Sequence, residues 1–507
     1  MKLSKKQSYS YIFEKRERKV PSPETLMCIP RELVEEFQAF VFDRKGKKVE
    51  VAAIDPENEL LKNFVRNRFG GDVKWFSAKK EDISFILKHY SRDFKEDIAK
   101  LISMGVGING NIVELAGLII AYAVAEKASD VHLEPLRNES VIRFRVDGVL
   151  HKILTLPKEM HNAVVARLKL LANLKMDDYR HPQDGRIELE RFADISLRIS
   201  TMPTLHGEKV ALRVLDDSNK DLSIRHLGFS EQHENIILRN IEKPFGLIVS
   251  SGPTGSGKTT TLYGLLHLLK KDKINISTLE DPVEYAVDGI NQIQINPRTN
   301  LTFASGLRAL LRQDPDVMMV GEIRDSETAI MATEAALTGH LVLTTLHTND
   351  AVSVITRFLE MKAEEFAVAS TLNLIIAQRL VRKVCDVCKK EVEIDDAIIK
   401  KIKERKDIVN ALTLMGKEVN KLKGEKFLVG AGCDACLQTG YRGRIGIFEA
   451  LEINKPIYDL IIGHAPTERI KEEARKNGFY EMIIDGLEKV FSGITTFEEV
   501  LRATRNN

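Results

Sequence analysis

One short stretch decides the fold of this chain: Ser251-Gly252-Pro253-Thr254-Gly255-Ser256-Gly257-Lys258-Thr259-Thr260. It fits the phosphate-loop template G-x-x-x-x-G-K-[ST] at every fixed position, between an apolar run at 245–249 that predicts a strand and residues 260–269 that predict a helix. Glycines let such a backbone wrap around a triphosphate with its N–H groups inward, and the helix N-terminus adds positive partial charge. We therefore expect Lys258 to contact the β- and γ-phosphates of a nucleotide and the Thr259 hydroxyl to ligate Mg²⁺.

Length and composition set the class of protein. The 507 residues are 43% apolar, which is enough for several domains with packed cores. The 75 basic and 73 acidic residues leave a net charge of +2, and this balance argues against a nucleic-acid groove. The N-terminus lacks the apolar segment of a secretory signal, and the longest membrane-like run, 115–125, is shorter than the ~20 residues that a bilayer needs. We therefore expect a cytoplasmic protein with peripheral membrane association at most.

Hydrophobic patterns divide the chain into domains. Further strands are predicted at 274–279, 317–320 and 341–345, which indicates an α/β domain with a mainly parallel sheet and helices on both faces. The segments upstream combine hairpins with helices. The predicted boundaries are a basic tail at 1–21, a small α/β domain at 22–92, a linker at 93–110, an α+β domain at 111–218 and the phosphate-loop domain at 225–507, which includes a cysteine module at about 381–445 and C-terminal helices at 455–507.

Carboxylates follow two of the predicted strands. Glu322 stands just past one strand end, where a carboxylate can hold Mg²⁺ or polarise the attacking water. An ordinary core strand is the alternative, and the phosphate loop upstream favours the nucleotide role. Glu280, Asp281 and Glu284 cluster at the end of the other strand. For this second segment a solvated acidic turn remains an alternative.

Histidines stand at the two ends of the strand predicted at 341–345. His340 precedes it and His347 follows it. A metal site is one interpretation, but the whole strand separates the two rings and no further ligand is evident. We expect one of the two histidines to act as a sensor that hydrogen-bonds the γ-phosphate region.

Several motifs together resemble the secretion ATPase superfamily, which drives type II secretion and type IV pilus assembly. They occur in order over residues 107–450, and this order makes the resemblance specific. The motifs upstream of the phosphate loop are Ser129-Asp-Val-His-Leu-Glu-Pro135, Arg143-Phe-Arg-Val-Asp-Gly-Val149, Pro182-Gln-Asp-Gly-Arg186, Arg198-Ile-Ser-Thr-Met-Pro203 and Gly207-Glu-Lys-Val-Ala-Leu-Arg213. Those downstream are Leu279-Glu-Asp-Pro-Val-Glu284, Leu311-Arg-Gln-Asp-Pro-Asp316, Gly321-Glu-Ile-Arg-Asp325, Thr338-Gly-His-Leu-Val342 and Thr345-Leu-His-Thr-Asn349.

The resemblance implies an architecture and a set of site residues. The expected fold is a RecA-like domain that follows a PAS-like α+β domain and a small α/β N-terminal domain, with a tetracysteine zinc module. A guanidinium suits the charge of a phosphoryl transition state, although a surface ion pair is the alternative, above all for Arg308. The implied catalytic residues are Glu322, Lys258, Arg198, Arg213, Glu284 and His347, where Arg198 and Arg213 reach the nucleotide at a closing interface. The implied nucleotide-binding residues are Gly252, Pro253, Thr254, Gly255, Ser256, Gly257, Lys258, Thr259, Thr260, Glu280, Asp281, His340, Arg308, Arg312 and Arg324.

Four of the five cysteines form two C-x-x-C pairs. Cys385 and Cys388 make the first pair, and Cys433 and Cys436 the second. Two such pairs can complete a zinc tetrahedron, and a reducing compartment favours metal over disulfide. A redox pair or free thiols are the alternatives, but no thioredoxin-like pattern surrounds either pair. Within the superfamily, this module is typical of the assembly (extension) branch.

The expected function is therefore a cytoplasmic homo-hexameric motor at the inner face of the cytoplasmic membrane. It would hydrolyse ATP with Mg²⁺ and turn an inner-membrane platform protein, helped by a cytoplasmic adaptor, to assemble a type IV pilus or a type II secretion pseudopilus. The alternatives are a retraction motor, a nucleic-acid translocase of the superfamily and a non-motor nucleotide-binding regulator. Many relatives carry an N-terminal helical segment with an Arg-Leu-Gly motif that binds a cyclic dinucleotide. The short basic start of this chain argues against regulation by that ligand.

Overall fold

The protein is represented by a computed structural model. It describes residues 37–45, 48–70, 72–83, 94–103, 109–189, 195–216 and 223–505, and also residues 21, 25, 28–29, 33–34 and 86. The chain divides into two compact units, residues 1–218 and 219–507. The predicted basic start, and with it the place of the cyclic-dinucleotide motif, lies outside the described residues except for residue 21.

The first unit begins with a small three-stranded sheet. Its elements are β1 (Ala39–Lys45), β2 (Lys48–Ala53), α1 (Glu59–Phe69) and β3 (Asp72–Ser77). Strands β1 and β2 are antiparallel, whereas β2 and β3 are parallel and are joined by α1. The Asn58 side chain caps the start of α1 by accepting from Leu60 N and Leu61 N, and Gly70 ends the helix with φ 54°.

A six-stranded antiparallel sheet forms the rest of this unit. Its elements are α2 (Phe94–Ser103), α3 (Asn109–Ala125), β4 (Asp130–Pro135), β5 (Glu139–Val146), β6 (Val149–Pro157), α4 (Lys158–Leu171), β7 (Gln183–Glu188), β8 (Ile195–Thr204) and β9 (Gly207–Asp216). The strand order is β6-β5-β4-β9-β8-β7. Ile98 and Leu101 of α2 belong to the same buried core as the sheet, so part of the predicted linker packs into this domain.

The second unit is built on a seven-stranded sheet. Its first elements are α5 (Ile224–Leu227), α6 (Glu231–Ile241), β10 (Gly246–Ser251), α7 (Lys258–Leu269), β11 (Ile276–Glu280), β12 (Asn291–Gln294), α8 (Phe303–Leu310), β13 (Val317–Val320), α9 (Ser326–Leu337), β14 (Leu341–Leu346), α10 (Val352–Glu360), α11 (Glu365–Thr371) and β15 (Leu372–Val384). The remaining elements are β16 (Lys389–Glu393), α12 (Asp396–Lys403), α13 (Lys406–Leu414), β17 (Lys426–Gly430), β18 (Tyr441–Glu452), α14 (Lys455–Ile462), α15 (Thr467–Lys476), α16 (Met482–Phe491) and α17 (Phe497–Ala503). The strand order is β12-β11-β13-β14-β10-β15-β18, and only the β15–β18 pairing is antiparallel.

Both faces of this sheet are covered. Along β10, Leu247 and Val249 pack into one core, and Ile248 between them packs into another. Successive side chains of a strand point to opposite faces, so the apolar run of β10 serves two cores. The prediction of an α/β fold with a mainly parallel sheet and helices on both faces is confirmed.

The parallel order also fixes where loops meet. The phosphate loop follows β10, Glu322 follows β13, His347 follows β14 and Asp281 follows β11. Because these strands run in the same direction, their carboxyl ends lie at one edge of the sheet. Four segments that are distant in the sequence are thereby brought to one place.

Candidate functional site

The phosphate loop has the backbone that its glycines permit. Gly252, Gly255 and Gly257 have φ values of 144°, 78° and 90°, in the range that L side chains rarely adopt. Gly257 caps α7 and, as a glycine, has no side chain that could accept a hydrogen bond from the first turn of that helix. The first N–H groups of a helix have no partner within the helix, so this turn can donate to an anion.

Lys258 is buried in the loop itself. Its Nζ donates to the carbonyl oxygens of Gly252 (2.8 Å) and Pro253 (3.2 Å), and it lies 3.5 Å from Nδ1 of His347. Burial lowers the pKa of Lys258 to about 8, and the negative charge of Glu322 opposes that shift. The ammonium group is therefore held at the loop by neutral oxygens, where a phosphate would supply a far stronger partner.

Glu322 lies at the centre of the polar cluster. Nε2 of His347 is 3.5 Å from Glu322 Oε2, and the guanidinium of Arg324 donates to Oε1 of the same carboxylate. Arg324 also lies 3.9 Å from Asp281, and its hydrogen bond to Glu322 raises its pKa. Beside the loop, a chain of contacts thus runs from Lys258 through His347 and Glu322 to Arg324. This arrangement offers cations for phosphate oxygens and a carboxylate that can orient a water.

Glu280 takes a different position from the other predicted acids. Its carboxylate is 2% exposed and accepts from Thr278 (2.5 Å), Gln292 (3.2 Å) and the hydroxyl of Tyr263 on α7. Burial and the hydrogen bond to Glu280 raise the pKa of Tyr263, so the hydroxyl stays protonated as a donor. This network ties the end of β11 to α7. Glu284 lies in the turn that follows β11.

Three further predicted residues bond to partners outside this cluster. His340 precedes β14, at the opposite edge of the sheet from the loop, and its Nδ1 bonds to Ala335 O (3.0 Å). Arg308 pairs with exposed Glu327 (2.9 Å), and Arg312 donates to Arg308 O (2.8 Å). A nucleotide contact by His340, Arg308 or Arg312 stays a prediction.

The six-stranded sheet of the first unit carries a row of arginines. Arg186, Arg198 and Arg213 are directly opposite one another across β7, β8 and β9. Asp130 on β4 is the next member, at 3.3 Å from Arg213, and Arg145 on β5 completes the row at 3.4 Å from Asp130. Like charges directly opposite each other destabilise a sheet, so an excess of guanidiniums over carboxylates favours an anionic ligand.

Sequence reasoning missed part of these constellations. Arg186 and Arg145 both occur within the quoted motifs, but only the strand register places them in one row with Arg198 and Arg213. Alternation along the strands could have found them, because residues of one face recur at every second position. No local pattern pairs Tyr263 with Glu280.

The four paired cysteines come together. Sγ distances are 3.9 Å for Cys385–Cys433, 3.9 Å for Cys388–Cys436 and 3.7 Å for Cys433–Cys436, and all four atoms lie within 4.8 Å of one another. A tetrahedron with Zn–S bonds of about 2.3 Å has sulfur–sulfur edges of about 3.8 Å, so the set fits a four-coordinate metal. Burial acts to raise the pKa of Cys436, but N–H groups of Cys433 and Gly440 outweigh it and lower that pKa to about 7.

No helix in the described ranges has the length and apolar character that crossing a bilayer requires.

Comparisons with known proteins agree with this geometry. The chain is 37% identical over 504 residues to the type IV pilus assembly ATPase PilB of Myxococcus xanthus, covering 95% of this chain and 87% of that protein. It is 44% identical over 395 residues to the type II secretion system protein E of Pseudomonas aeruginosa, covering 78% of this chain and 76% of the relative.

Solved structures share the fold. The pilus retraction motor PilT with bound ADP is 25% identical with a TM-score of 0.51, covering 76% of this chain and 96% of that one. The ATPase DotB of Legionella pneumophila, at 21% identity and a TM-score of 0.54, covers 76% of this chain and 94% of that one and shows the fold alone. The family model of the MshEN domain matches residues 9–97, so this match begins inside the tail predicted at 1–21. The family model of the type II/IV secretion system protein matches residues 108–502. The chain belongs to the type II/IV secretion system protein family.

Proposed function

We propose that the protein is an ATP-hydrolysing hexameric motor that powers assembly of a type IV pilus or a type II secretion pseudopilus. The observation that carries the proposal is the meeting of Lys258, His347 and Glu322 beside the phosphate loop at one sheet edge. The names of the relatives, a pilus assembly ATPase and a type II secretion protein, point to the same activity. A retraction motor is the alternative, and the cysteine module disfavours it.

The proposed chemistry is in-line attack of water on the γ-phosphate. Lys258 and the first turn of α7 would bind the phosphate oxygens, and the Thr259 hydroxyl would hold Mg²⁺. Glu322 would orient the attacking water, and His347 and Arg324, which both contact Glu322, would offer hydrogen-bond donors to the γ-phosphate. Positioning and charge stabilisation supply most of the catalysis in phosphoryl transfer, and this cluster provides both.

Arg198 and Arg213 complete the proposed site at a closing interface of the hexamer. Both are exposed and stand opposite each other on β8 and β9, with Arg186 and Arg145 in the same row. A planar guanidinium binds phosphate oxygens with two parallel hydrogen bonds, so a row of them suits a triphosphate. The residues at 22–92, 111–218 and 225–507 are the proposed docking, arginine-bearing and ATPase domains.

We propose Zn²⁺ as the ion for the tetracysteine cluster. Four thiolates and a closed tetrahedron are typical of structural zinc sites. Bound there, zinc would join the end of β15 to the start of β18 through Cys385 and Cys436. Its role is structural, since no ligand position is left for chemistry.

The proposed partners are other copies of the chain, an inner-membrane platform protein and a cytoplasmic adaptor, with no nucleic acid. The proposed location is the cytoplasm, at the inner face of the cytoplasmic membrane. The near-zero net charge supports the exclusion of nucleic acid. An ATPase assay with and without DNA checks it, because a translocase would be stimulated.

The test of the motor is the substitution Glu322→Gln. It keeps the size of the side chain and removes the base, so we expect ATP turnover to fall at least ~100-fold. Mg²⁺–ADP binding should stay within a few-fold of the parent. The matched control is Glu360→Gln, which alters an exposed carboxylate that is paired with Arg357 on α10. Turnover of Glu322→Gln equal to that of the control would overturn the proposal.

A further inference from the structure

Gln378 on β15 lies beneath the phosphate loop. The strand runs parallel to β10, with Ser250 opposite Ile376 and Ser251 opposite Ala377, so Gln378 is the next residue at the carboxyl edge. Its side chain is buried, at 1% exposure. Gln378 Nε2 donates to the carbonyl oxygen of Ser256 at 2.7 Å, and the Ser250 hydroxyl donates to Gln378 Oε1 at 3.1 Å. The amide oxygen therefore bonds to β10, and the amide nitrogen bonds to the phosphate loop that follows this strand.

The glycines of the loop allow its approach to Gln378. A Cβ on Gly252 would lie 2.5 Å from the Gln378 carbonyl oxygen. A Cβ on Gly257 would lie 3.2 Å from Gln378 Nε2. Real Cβ atoms do not reach the first distance, because the two atoms would overlap. Gly252 is thus required by the space that the Gln378 backbone leaves, whereas Gly257 is required by its φ of 90°.

The bond to Ser256 sets the direction of an N–H group. In a trans peptide the carbonyl and the N–H point in opposite directions. Because Gln378 holds the Ser256 carbonyl, the N–H of Gly257 in the same peptide plane points away from Gln378, to the inner side of the loop. The template places phosphate oxygens on that inner side.

We infer that Gln378 is a positioning residue for the phosphate loop, which holds the Ser256–Gly257 peptide with its N–H aimed at the nucleotide. The inference rests on the proposed phosphate site at Gly252–Thr259. The amide meets both demands at this position, since Ser256 O needs a donor while the Ser250 hydroxyl needs an acceptor. A carboxylate lacks the donor and leucine lacks both.

The same strand contains a matched control. Asn373, near the amino end of β15, donates its side-chain amide to Phe245 O at 2.8 Å, just before β10. Its amide bonds to the residue that precedes β10, whereas the Gln378 amide bonds to the loop that follows β10, so Asn373 lies at the edge away from the loop. A substitution there tests stability without touching the loop.

The experiment compares Gln378→Leu, Gln378→Glu and Asn373→Leu. The dissociation constant for Mg²⁺–ADP and the unfolding temperature without nucleotide are measured for each variant. We expect Gln378→Leu to raise the dissociation constant about tenfold, which is about 1.4 kcal/mol. Asn373→Leu should lower the unfolding temperature and leave the dissociation constant within twofold of the parent.

Gln378→Glu makes the loss of Mg²⁺–ADP affinity depend on pH, which a purely structural role of Gln378 would not do. A protonated carboxyl can donate to Ser256 O, whereas a carboxylate faces it with like charge. We express the loss of affinity relative to the parent at each pH, so that pH effects common to both proteins cancel. This loss should be largest at pH 7.5 and should shrink towards pH 5.5. This variant also serves if Gln378→Leu does not fold.

Three outcomes are distinguishable. A Gln378→Leu protein that folds and binds Mg²⁺–ADP within twofold of the parent overturns the inference. A Gln378→Glu loss that does not change with pH also overturns it. If Lys258→Ala binds Mg²⁺–ADP as tightly as the parent, the phosphate site itself is wrong, and that failure is separate from the failure of Gln378.

Discussion

Two buried lysines of the second unit show how a functional charge differs from a structural one. Lys489 is 7% exposed and bonds at 2.6 Å to Asp485, which also accepts from Phe448 N at 2.7 Å. Lys258 is 9% exposed, yet its acceptors are two backbone carbonyls, and no described carboxylate pairs with it. A buried cation without an anion is costly, so the fold keeps Lys258 in a state that an anionic ligand stabilises.

Other buried charges sharpen the contrast. Lys169 of the first unit, fully buried, pairs with Glu208 at 2.6 Å, as Lys489 pairs with Asp485. The tetracysteine cluster is the converse case, because four thiolates in one place would repel one another unless a cation joined them, and burial already raises the pKa of Cys433 to about 12. A charge whose partner is missing from the protein thus indicates a ligand, and the sign of the charge indicates which kind.

The largest expected effect concerns the cysteine cluster. Removal of the metal with a chelator, or Cys433→Ser, should lower the free energy of unfolding of the module by at least ~5 kcal/mol, because structural zinc binding is folding free energy. Zinc content measured with a thiol-reactive or zinc-sensitive dye should be one ion per chain for the parent. The control is Cys28→Ser, which changes a buried cysteine outside the cluster. Equal unfolding curves with and without chelator would contradict the assignment.

Exchange of each lysine for methionine tests the comparison directly. Lys489→Met leaves Asp485 buried without its partner, and we expect a loss of about 3–5 kcal/mol in the free energy of unfolding with nucleotide affinity unchanged. Lys258→Met removes an unpaired cation, so stability should hold or rise while Mg²⁺–ATP affinity falls by roughly 100-fold or more. Denaturant unfolding and nucleotide titration separate the two. If Lys258→Met lost stability and kept its nucleotide affinity, Lys258 would be the structural lysine of the two.

The smallest effect is the pH dependence of nucleotide binding. The pKa of Lys258, about 8, lies below its ordinary value because burial disfavours the cation, and a bound phosphate would raise it again. Affinity should therefore fall as pH rises above about 8, and binding at such pH should take up a proton. Calorimetry in two buffers of different ionisation enthalpy measures this uptake. Its absence at pH 9, or its presence in Lys258→Met, would refute the assignment.

The core fold and the centre of the site could be predicted from local patterns. The phosphate loop is a single continuous segment, so its strand, its glycines and its lysine are all visible in order. Glu322 and His347 follow apolar strands, and parallel strands bring their carboxyl ends together. These inferences need only short-range spacing and one topological rule.

Other residues depended on contacts that spacing does not encode. Glu280 belongs to an acidic segment, but its carboxylate is taken up by Thr278, Gln292 and Tyr263. Arg308 pairs with exposed Glu327, and its contact with a nucleotide stays a prediction. Side-chain direction sets both of these pairings, and direction follows from packing.

The sequence by itself determined the phosphate loop, the strand ends that carry Glu322 and His347, and the four cysteines, because each depends on local chemistry. Only the tertiary structure decided which charges are paired, and it alone placed Gln378 under the loop, 122 residues from Ser256. The register of β7, β8 and β9 likewise aligned Arg186 with Arg198 and Arg213. The physical reason is that burial and hydrogen-bond partners arise from strands that meet only when the chain is folded.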